Sequence, residues 1–132
     1  MAVDRVAVLD DYQQVALSSA DWGPVTSRAE VTVFSEPFGG LDAAAAALEP
    51  FTVIAAMRER TPFPAALLDR LPNLRLLVTT GMRNASIDLV AAQRRGVVVC
   101  GTGGSAAGTP ELTWALIMAL TRSVPAEDAR IR

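Results

Sequence analysis

Short apolar runs alternate with stretches of helical spacing about five times along the chain. This alternation is typical of a parallel sheet whose strands are joined by crossover helices, and runs that are apolar throughout indicate strands covered on both faces. The predicted strands are residues 6–10, 31–34, 52–56, 76–80 and 97–100. The predicted helices between them are residues 12–18, 41–48, 64–70 and 88–95, with Pro64 in a first turn and Gly96 as a left-handed cap. The pattern therefore predicts an α/β fold on a five-stranded parallel sheet with flanking helices.

A glycine-rich connector follows the fifth strand and leads into a long helix. Thr109 is expected to cap this helix, Pro110 to occupy its first turn, and Arg122 to lie near its end. The apolar side chains around it are Leu112, Trp114, Ala115, Leu116, Ile117, Met118 and Leu120. A helix with so little polar surface needs cover on more than one side. Residues 123–132 are polar, and we predict neither a further strand nor that cover from them.

Composition and charge exclude several classes of function. The net charge of -2 and the isoelectric point near 5.0 give no basic surface, so we expect no nucleic-acid partner. The longest apolar run, residues 112–120, is much shorter than the roughly 20 residues of a membrane span, so we expect no membrane insertion. The first residues include acids and lack the pattern of a signal peptide, and Cys100 has no partner for a disulfide. The expected location is the cytoplasm.

The sequence contains no histidine. The commonest general base near neutral pH and the commonest metal ligand are therefore both missing. A Ser-His-Asp triad, a Cys-His pair or a His-zinc site cannot form within this chain. We predict no catalytic residue and no metal site here; Cys100 is expected to be buried and inert, and Trp22 and Trp114 are expected to be packing residues.

The glycine loop after the fifth strand matches a relaxed dinucleotide-binding pattern, G-x-G-x-x-A, through Gly101, Gly103 and Ala106. That pattern should follow the first strand of a nucleotide-binding unit, with an acidic residue about 20 positions later at the end of a second strand. Pro110 and a long helix follow instead. The context favours a flexible connector over a phosphate-binding loop.

Asp10 and Asp11 end the first strand and Thr80 ends the fourth, an arrangement that is also found in response-regulator receiver domains. A receiver needs a phospho-accepting aspartate after its third strand and a lysine after its fifth, and this chain has neither. The two acids are therefore interpreted as turn formers. A receiver domain stays an unfavoured alternative.

Two arginine-bearing loops follow neighbouring strands: Arg58 and Arg60 follow the third, and Gly81, Met82 and Arg83 follow the fourth. Open α/β sheets bind ligands at this carboxyl edge. A guanidinium can hold a carboxylate through two parallel hydrogen bonds, and Gly81 lets the amides of Met82 and Arg83 face a bound anion. Taken singly, each loop is equally well explained by a solvated arginine or a plain turn. Together they predict a site for one small anion.

With these loops in place, the chain resembles the D-isomer-specific 2-hydroxyacid dehydrogenases, the family that contains D-3-phosphoglycerate dehydrogenase. The similarity runs from VLDDYQ through DWGPV, RERTPFPAALLDRLPNLRLLVTTGMRNASID and RRGVVVCGT to ELTWALIMALTR. It implies that residues 1–104 are part of a flavodoxin-like substrate domain. It also implies that residues 105–132 form an inter-domain helix leading to an NAD-binding Rossmann domain that this chain lacks.

The resemblance also implies roles for particular residues. Arg58 would approach the carboxylate of a small 2-hydroxy or 2-keto acid, the amides around Gly81, Met82 and Arg83 would bind it, and Thr109 would touch the nicotinamide side of NAD or NADP. A homodimer is expected. The family's Rossmann glycine motif and its Arg, Glu and His for hydride transfer do not occur in this chain, so we expect these residues alone to be inactive.

The chain departs from the family's pattern in the loop after the fourth strand and in the connector. Arg83, Ala85 and Ser86 stand where the family commonly has a second glycine and Asp-Asn, and Gly101 and Ser105 replace asparagines. The identity of the 2-hydroxy acid therefore stays open. The alternative function is a free-standing flavodoxin-like binding or regulatory module without catalysis. It predicts a last helix packed on its own sheet, whereas a dehydrogenase portion predicts a helix with exposed apolar surface.

Overall fold

The computed structural model describes residues 3–104 and 107–132, and within them five parallel strands form one sheet. The strands are β1 (Asp4–Val8), β2 (Ala29–Val33), β3 (Val53–Ala56), β4 (Leu76–Thr79) and β5 (Val98–Gly101). They lie in the order β2-β1-β3-β4-β5, which is the flavodoxin-like order, with its change of direction between β1 and β3. The predicted α/β fold and five-stranded parallel sheet are confirmed.

The helices are α1 (Gly23–Thr26), α2 (Leu41–Leu48), α3 (Ala65–Leu68), α4 (Leu89–Arg94), α5 (Gly108–Thr121) and α6 (Val124–Ile131). Residues from α2, α3 and α4 join the buried core on one face of the sheet. The strand register places Ala7, Ile54, Leu77 and Val99 in one row across four strands, and the first three are fully buried. This row explains why the apolar runs of β1, β3 and β4 form strands: each contributes one buried side chain to the same layer, and Val99 of β5 packs against it partly buried.

The edge strand β5 is less covered than the sequence suggested. Val98 keeps 57% of its surface exposed, and Cys100, two positions further along the strand and therefore on the same face, is exposed as well. The expectation of a buried Cys100 is wrong, because no element described in residues 3–104 or 107–132 covers this outer face of β5.

The segment after β1 does not form the helix predicted for residues 12–18. The backbone amides of Val15 and Ala16 donate to the Asp11 carboxylate at 3.0 and 2.9 Å, and this bends the chain into a short 3₁₀ turn at Ala16–Ser18. A side-chain acceptor that competes for backbone amides in this way interrupts helical hydrogen bonding. The helical part of the crossover is instead α1, which was not predicted, and the Trp22 indole donates to the Ala16 carbonyl at 2.9 Å.

Several helix ends differ from the predicted ones. Pro64 caps α3 instead of occupying its first turn, and α3 ends at Leu68. Thr109 and Pro110 lie within the first turn of α5, which begins one residue before them, so Thr109 is not the cap. Gly96 has the predicted left-handed backbone, with φ of 72°.

The chain turns at Ser123, which is left-handed with φ of 52°, and continues as α6, a helix that was not predicted. Pro125 lies in its first turn, and Arg130 pairs with Glu127 at 2.8 Å along one side. Proline in a first turn and charge pairs three residues apart both favour a helix, so polar composition alone did not indicate a coil.

The long helix α5 has no buried residue. Six of its large apolar side chains remain 44–76% exposed: Leu112, Trp114, Leu116, Ile117, Met118 and Leu120. An α5 helix with exposed apolar surface was predicted if the chain is part of a dehydrogenase, and a helix packed on its own sheet was predicted if it is a free-standing module. The exposure confirms the first of these predictions. Trp114, expected to be a packing residue, is solvent-exposed. Among the residues described, no helix has the length and apolar character needed to cross a membrane.

Candidate functional site

The loops that follow β3 and β4 are tied together at the carboxyl edge of the sheet. The Phe63 amide donates to the Ser86 carbonyl at 2.8 Å, and the Asp88 amide donates to the Phe63 carbonyl at 3.0 Å. These bonds form a parallel bridge between Phe63 and Ile87, outside the strands of the sheet, and both of these side chains are buried. The two loops that carry the predicted anion-binding residues therefore form one connected surface.

Arg58 occupies a left-handed backbone conformation at this edge, with φ of 54°. Such a conformation costs a non-glycine residue about 1 kcal/mol or more, so its neighbours must hold it. The Arg58 amide donates to Thr80 Oγ1 at 3.1 Å, and Asn84 Nδ2 donates to the Arg58 carbonyl at 2.6 Å. Both partners belong to the loop after β4, so that loop fixes the backbone of Arg58.

The guanidinium of Arg58 lies directly against Gly81. A Cβ atom built at position 81 would fall 2.9 Å from Arg58 Cζ and closer still to Nη1, and Gly81 has φ of 90°. The positive φ favours glycine at this position, and any larger residue would also push the Arg58 guanidinium out of its place. Arg58 and Gly81, which the sequence predicted to converge, are in contact.

The Gly81 turn is also fastened to the start of the connector. The Gly81 amide donates to Thr102 Oγ1 at 3.0 Å, and the Thr102 amide donates to the Gly81 carbonyl at 3.2 Å. A Cβ atom at position 101 would fall 2.8 Å from the Gly81 carbonyl oxygen, so Gly101 permits this close approach. Because Thr102 occupies the Gly81 amide, any anion at this turn must use the amides of Met82 and Arg83.

Those two amides remain available: within residues 3–104 and 107–132 neither donates a hydrogen bond. Met82 and Arg83 are exposed, and both line a cavity of about 380 Å³ between the loop and β5. The guanidinium of Arg58 is exposed too, with no side-chain ion pair or hydrogen bond to the described residues. Among the described residues, this edge presents two cations, Arg58 and Arg83, and the two amides of Met82 and Arg83 without hydrogen-bond partners, which is suited to an anion.

Asn84 organises this loop, and the sequence analysis did not identify it. Its Nδ2 also donates to Thr79 Oγ1 at 2.9 Å, and its Oδ1 accepts from the amide and the hydroxyl of Ser86 at 2.9 and 2.6 Å. Asparagine followed two residues later by a hydrogen-bonded amide is a common turn. The segment Asn84-Ala85-Ser86 carried that signal.

Arg60 has a structural role at the same edge. Its Nη1 donates to the Asp10 carbonyl at 2.9 Å, and its guanidinium lies 4.7 Å from the centre of the Tyr12 ring. The buried Asp10 carboxylate accepts from the Thr61 hydroxyl at 2.8 Å and from the Tyr12 hydroxyl at 3.3 Å. Burial, and after it the Asp10 charge, raise the pKa of Tyr12. Asp11, which accepts from the amides of Val15 and Ala16, is a turn former as predicted, whereas the Asp10 carboxylate joins β1 to the loop after β3. Of the two arginines, Arg58 is the one whose side chain has no hydrogen bond or ion pair among the described residues.

Thr109 lies in the first turn of α5 and is exposed. Its carbonyl accepts from the Thr113 hydroxyl at 2.8 Å, and no described contact joins it to Arg58 or to the Gly81 turn. Ser105 and Ala106, the latter part of the G-x-G-x-x-A pattern, lie outside the described residues.

Comparison with known proteins decides the family. Residues 6–124 match the family described as the D-isomer specific 2-hydroxyacid dehydrogenase, catalytic domain. The chain belongs to this family. The resemblance inferred from the sequence is therefore confirmed, and it extends through α5.

Solved members of the D-isomer specific 2-hydroxyacid dehydrogenases share the fold. A phosphoglycerate oxidoreductase from Vibrio cholerae O395 is 36% identical with a TM-score of 0.80, covering 92% of this chain and 38% of its own. A Ralstonia solanacearum oxidoreductase of D-3-phosphoglycerate dehydrogenase type is 38% identical, also with a TM-score of 0.80, covering 92% and 36%. A glyoxylate/hydroxypyruvate reductase of Arabidopsis thaliana is 34% identical over 74 residues, which are 55% of this chain and 23% of that protein. The chain thus spans well under half the length of each of these relatives.

Proposed function

We propose that this chain supplies the carboxylate-binding part of an NAD(P)-dependent oxidoreductase that acts on the CH-OH group of a small D-2-hydroxy acid, or reduces the corresponding 2-keto acid. Arg58 would pair with the substrate carboxylate, and the amides of Met82 and Arg83 would donate to it. The observation that carries this proposal is the contact between the Arg58 guanidinium and Gly81 at the carboxyl edge of the sheet.

The strength of such a site depends on how much water it excludes. A charge-assisted hydrogen bond contributes about 1.5 to 3 kcal/mol when it is shielded, and much less on an exposed surface. Arg58, Met82 and Arg83 are all exposed here. We therefore expect this exposed surface to bind the acid only weakly. Tight binding would require a second lobe that covers the site and excludes water.

The substrate class follows from the family and from what its relatives are named for. Those names refer to phosphoglycerate, glyoxylate and hydroxypyruvate, which all carry a carboxylate. A guanidinium and two backbone amides would bind this shared carboxylate through hydrogen bonds. We assign only the class of substrate, a small 2-hydroxy or 2-keto acid, because Arg83 is one of the positions at which this loop differs from the family's usual sequence.

The described residues do not fit a dinucleotide. Gly101 ends the edge strand β5 and Gly103 follows it, and the next described element, α5, packs none of its side chains into a core. We therefore derive no hydride-transfer step from this chain. NAD or NADP is assigned to polypeptide other than these residues, with Thr109 as the position that would approach its nicotinamide side. The absence of histidine from the sequence further supports inactivity of the 132 residues by themselves.

Two further features belong to the same proposal. The exposed apolar surface of α5 is suited to a second copy of the chain, so we include a homodimer. An exposed, unpaired Cys100 is compatible with a reducing compartment, and we include the cytoplasm as the location.

Titration of the isotope-labelled chain with oxamate, a stable analogue of a 2-keto acid, tests the site by NMR. We expect saturable shifts at the amides of Met82 and Arg83, with binding weakened about two- to fivefold in Arg58→Met, the range for an exposed ion pair. Arg28→Met is the matched control, because Arg28 is exposed and directly precedes β2, at the opposite edge of the sheet. Equal binding by Arg58→Met and the wild type would refute the proposed site. Turnover of NADH with a 2-keto acid by the purified chain would refute its proposed inactivity.

A further inference from the structure

A second cavity lies at the carboxyl edge of the sheet, away from the Gly81 turn. Its volume is about 150 Å³, and it lies between the segment that follows β2 and the loop that follows β3. It shares no lining residue with the cavity beside Met82 and Arg83. Its apolar lining includes Phe38, Leu41, Ala44 and Leu67.

The position of this cavity is the one where open α/β sheets characteristically bind ligands. In the order β2-β1-β3-β4-β5, the connections leave β1 and β3 in opposite directions, which opens a crevice outside the ends of these two strands. The cavity borders that crevice on the side of β3: Arg60 and Thr61 line it, and both are bonded to Asp10, which follows β1. The Arg58 site, by contrast, uses the loops after β3 and β4.

One cation lines the cavity. The Arg60 guanidinium donates to the Asp10 carbonyl and lies over the Tyr12 ring, and both contacts favour this orientation without a ligand. A guanidinium has five N–H groups, and within the described residues the only hydrogen bond that Arg60 donates from its side chain is the one to Asp10. The remaining donors are free for an acceptor at the rim of an otherwise apolar space.

We propose that this cavity is a second ligand site, for a monocarboxylate with a compact aliphatic or phenyl group. The carboxylate would pair with Arg60, and the apolar group would enter between Leu41, Ala44 and Leu67. The size agrees with this class, because an apolar protein cavity of about 150 Å³ holds a group as large as benzene. The proposal is independent of the Arg58 site and of the dehydrogenase activity proposed above.

The test is an NMR titration of the full chain with 4-methylpentanoate, compared with 4-methylpentan-1-ol and with acetate. We expect saturable shifts at Ala44 and Leu67, with binding about tenfold or more weaker for the alcohol, which lacks the charge, and for acetate, which lacks the apolar group. These comparisons use the wild type, so they do not depend on the folding of a variant. Equal binding of acid and alcohol would overturn the role of Arg60, and a lack of saturable shifts would overturn the site.

Three variants sharpen the test. Arg60→Met removes the charge and keeps much of the stem, and Ala44→Leu fills the cavity with a residue that favours helix. We expect both to weaken binding of 4-methylpentanoate about tenfold or more, and Arg58→Met to leave it unchanged. Loss of binding in Arg58→Met with retention in Arg60→Met would assign the acid to the Gly81 site and overturn the proposal. Oxamate should bind Arg60→Met normally and Arg58→Met more weakly. Titration with oxamate therefore tests the Arg58 site separately from the cavity beside Arg60.

Discussion

The guanidinium of Arg58 rests on Gly81, a residue 23 positions later in the sequence that has no side chain to displace it. The contact depends on a left-handed backbone at both residues, and only Gly81 adopts that conformation without strain. Hydrogen bonds from the loop after β4 hold Arg58 in place. The candidate site is thus a property of two loops acting together, and substitutions in either loop should affect it.

Gly81→Ala should weaken oxamate binding, because its Cβ would displace the Arg58 guanidinium. It should also lower the free energy of unfolding by about 1 to 2 kcal/mol through the positive φ. Gly96→Ala is the matched control, since Gly96 has φ of 72° and open space around it. We expect a similar loss of stability there with unchanged oxamate binding. Thermal unfolding and NMR titration measure both quantities, and equal binding by the two variants would contradict the prediction.

Asn84→Ala should destabilise the chain by about 2 to 3 kcal/mol, because Asn84 makes four hydrogen bonds within the loop and to Arg58. Asn73→Ala is the control, since the Asn73 side chain makes a single exposed bond to the Glu49 carbonyl. Asn73→Ala should lower the free energy of unfolding by less than about 1 kcal/mol. Urea unfolding followed by tryptophan fluorescence measures both, and similar midpoints for the two variants would count against the role of Asn84.

Thr61→Val should destabilise the chain by about 1 to 3 kcal/mol, because it removes the hydroxyl that the buried Asp10 carboxylate accepts from at 2.8 Å. Thr61→Ser keeps that hydroxyl and loses only a methyl group, so it should lower the free energy of unfolding less than Thr61→Val does. Chemical denaturation of the two variants provides the comparison. A serine variant as unstable as the valine variant would show that packing at position 61 matters more than the hydrogen bond.

The phenol of Tyr12, the only tyrosine in the sequence, should ionise above the ordinary pKa near 10. Burial contributes first and the Asp10 charge second, so the pKa in Asp10→Asn should fall but stay above the ordinary value. Arg60→Met should raise the pKa further, because the Arg60 charge lowers it. Alkaline titration of the phenolate absorbance measures each value. A wild-type pKa at or below 10 would contradict the geometry of this cluster.

The same pKa sets the direction of a pH effect on stability. Since folding favours the neutral phenol, the Tyr12 contribution is present in full below about pH 10 and is lost as the pH rises through the folded-state pKa. Tyr12→Phe should remove this part of the alkaline loss of stability. As the pH rises through 10, the unfolding midpoint of the wild type should fall relative to that of Tyr12→Phe, which has no phenol to ionise.

Leu116→Glu on α5 should shift the chain toward the monomer in sedimentation experiments, because it places a charge on the exposed apolar surface. Thr121→Glu, at the end of the same helix, is the control and should leave the sedimentation coefficient unchanged. Monomeric wild-type protein at the highest concentrations tested would contradict the proposed homodimer.

The strands were predictable because each is a short run rich in apolar and β-branched residues, and such runs leave few alternatives to a strand. Residues 12–18 show the limit of this reasoning: their spacing suits a helix, but the Asp11 carboxylate captures the amides of Val15 and Ala16 first. Cys100 shows another limit, because the exposure of an edge strand depends on what packs against it and not on its own composition.

The sequence by itself determined the α/β class, the parallel sheet, and the presence of Arg58 and Gly81 on loops at one edge, because these follow from local periodicity and from the rule that parallel strands end together. The family was indicated by the resemblance of the motifs and confirmed by the comparison with known proteins. Only the tertiary structure decided which arginine is free. The Arg60 guanidinium donates to Asp10, which lies 50 positions earlier in the sequence, whereas the hydrogen bonds of Arg58 to the described residues all involve its backbone. Such pairings join residues that are far apart in the chain, and their geometry arises from the packing of whole elements, which no local pattern encodes.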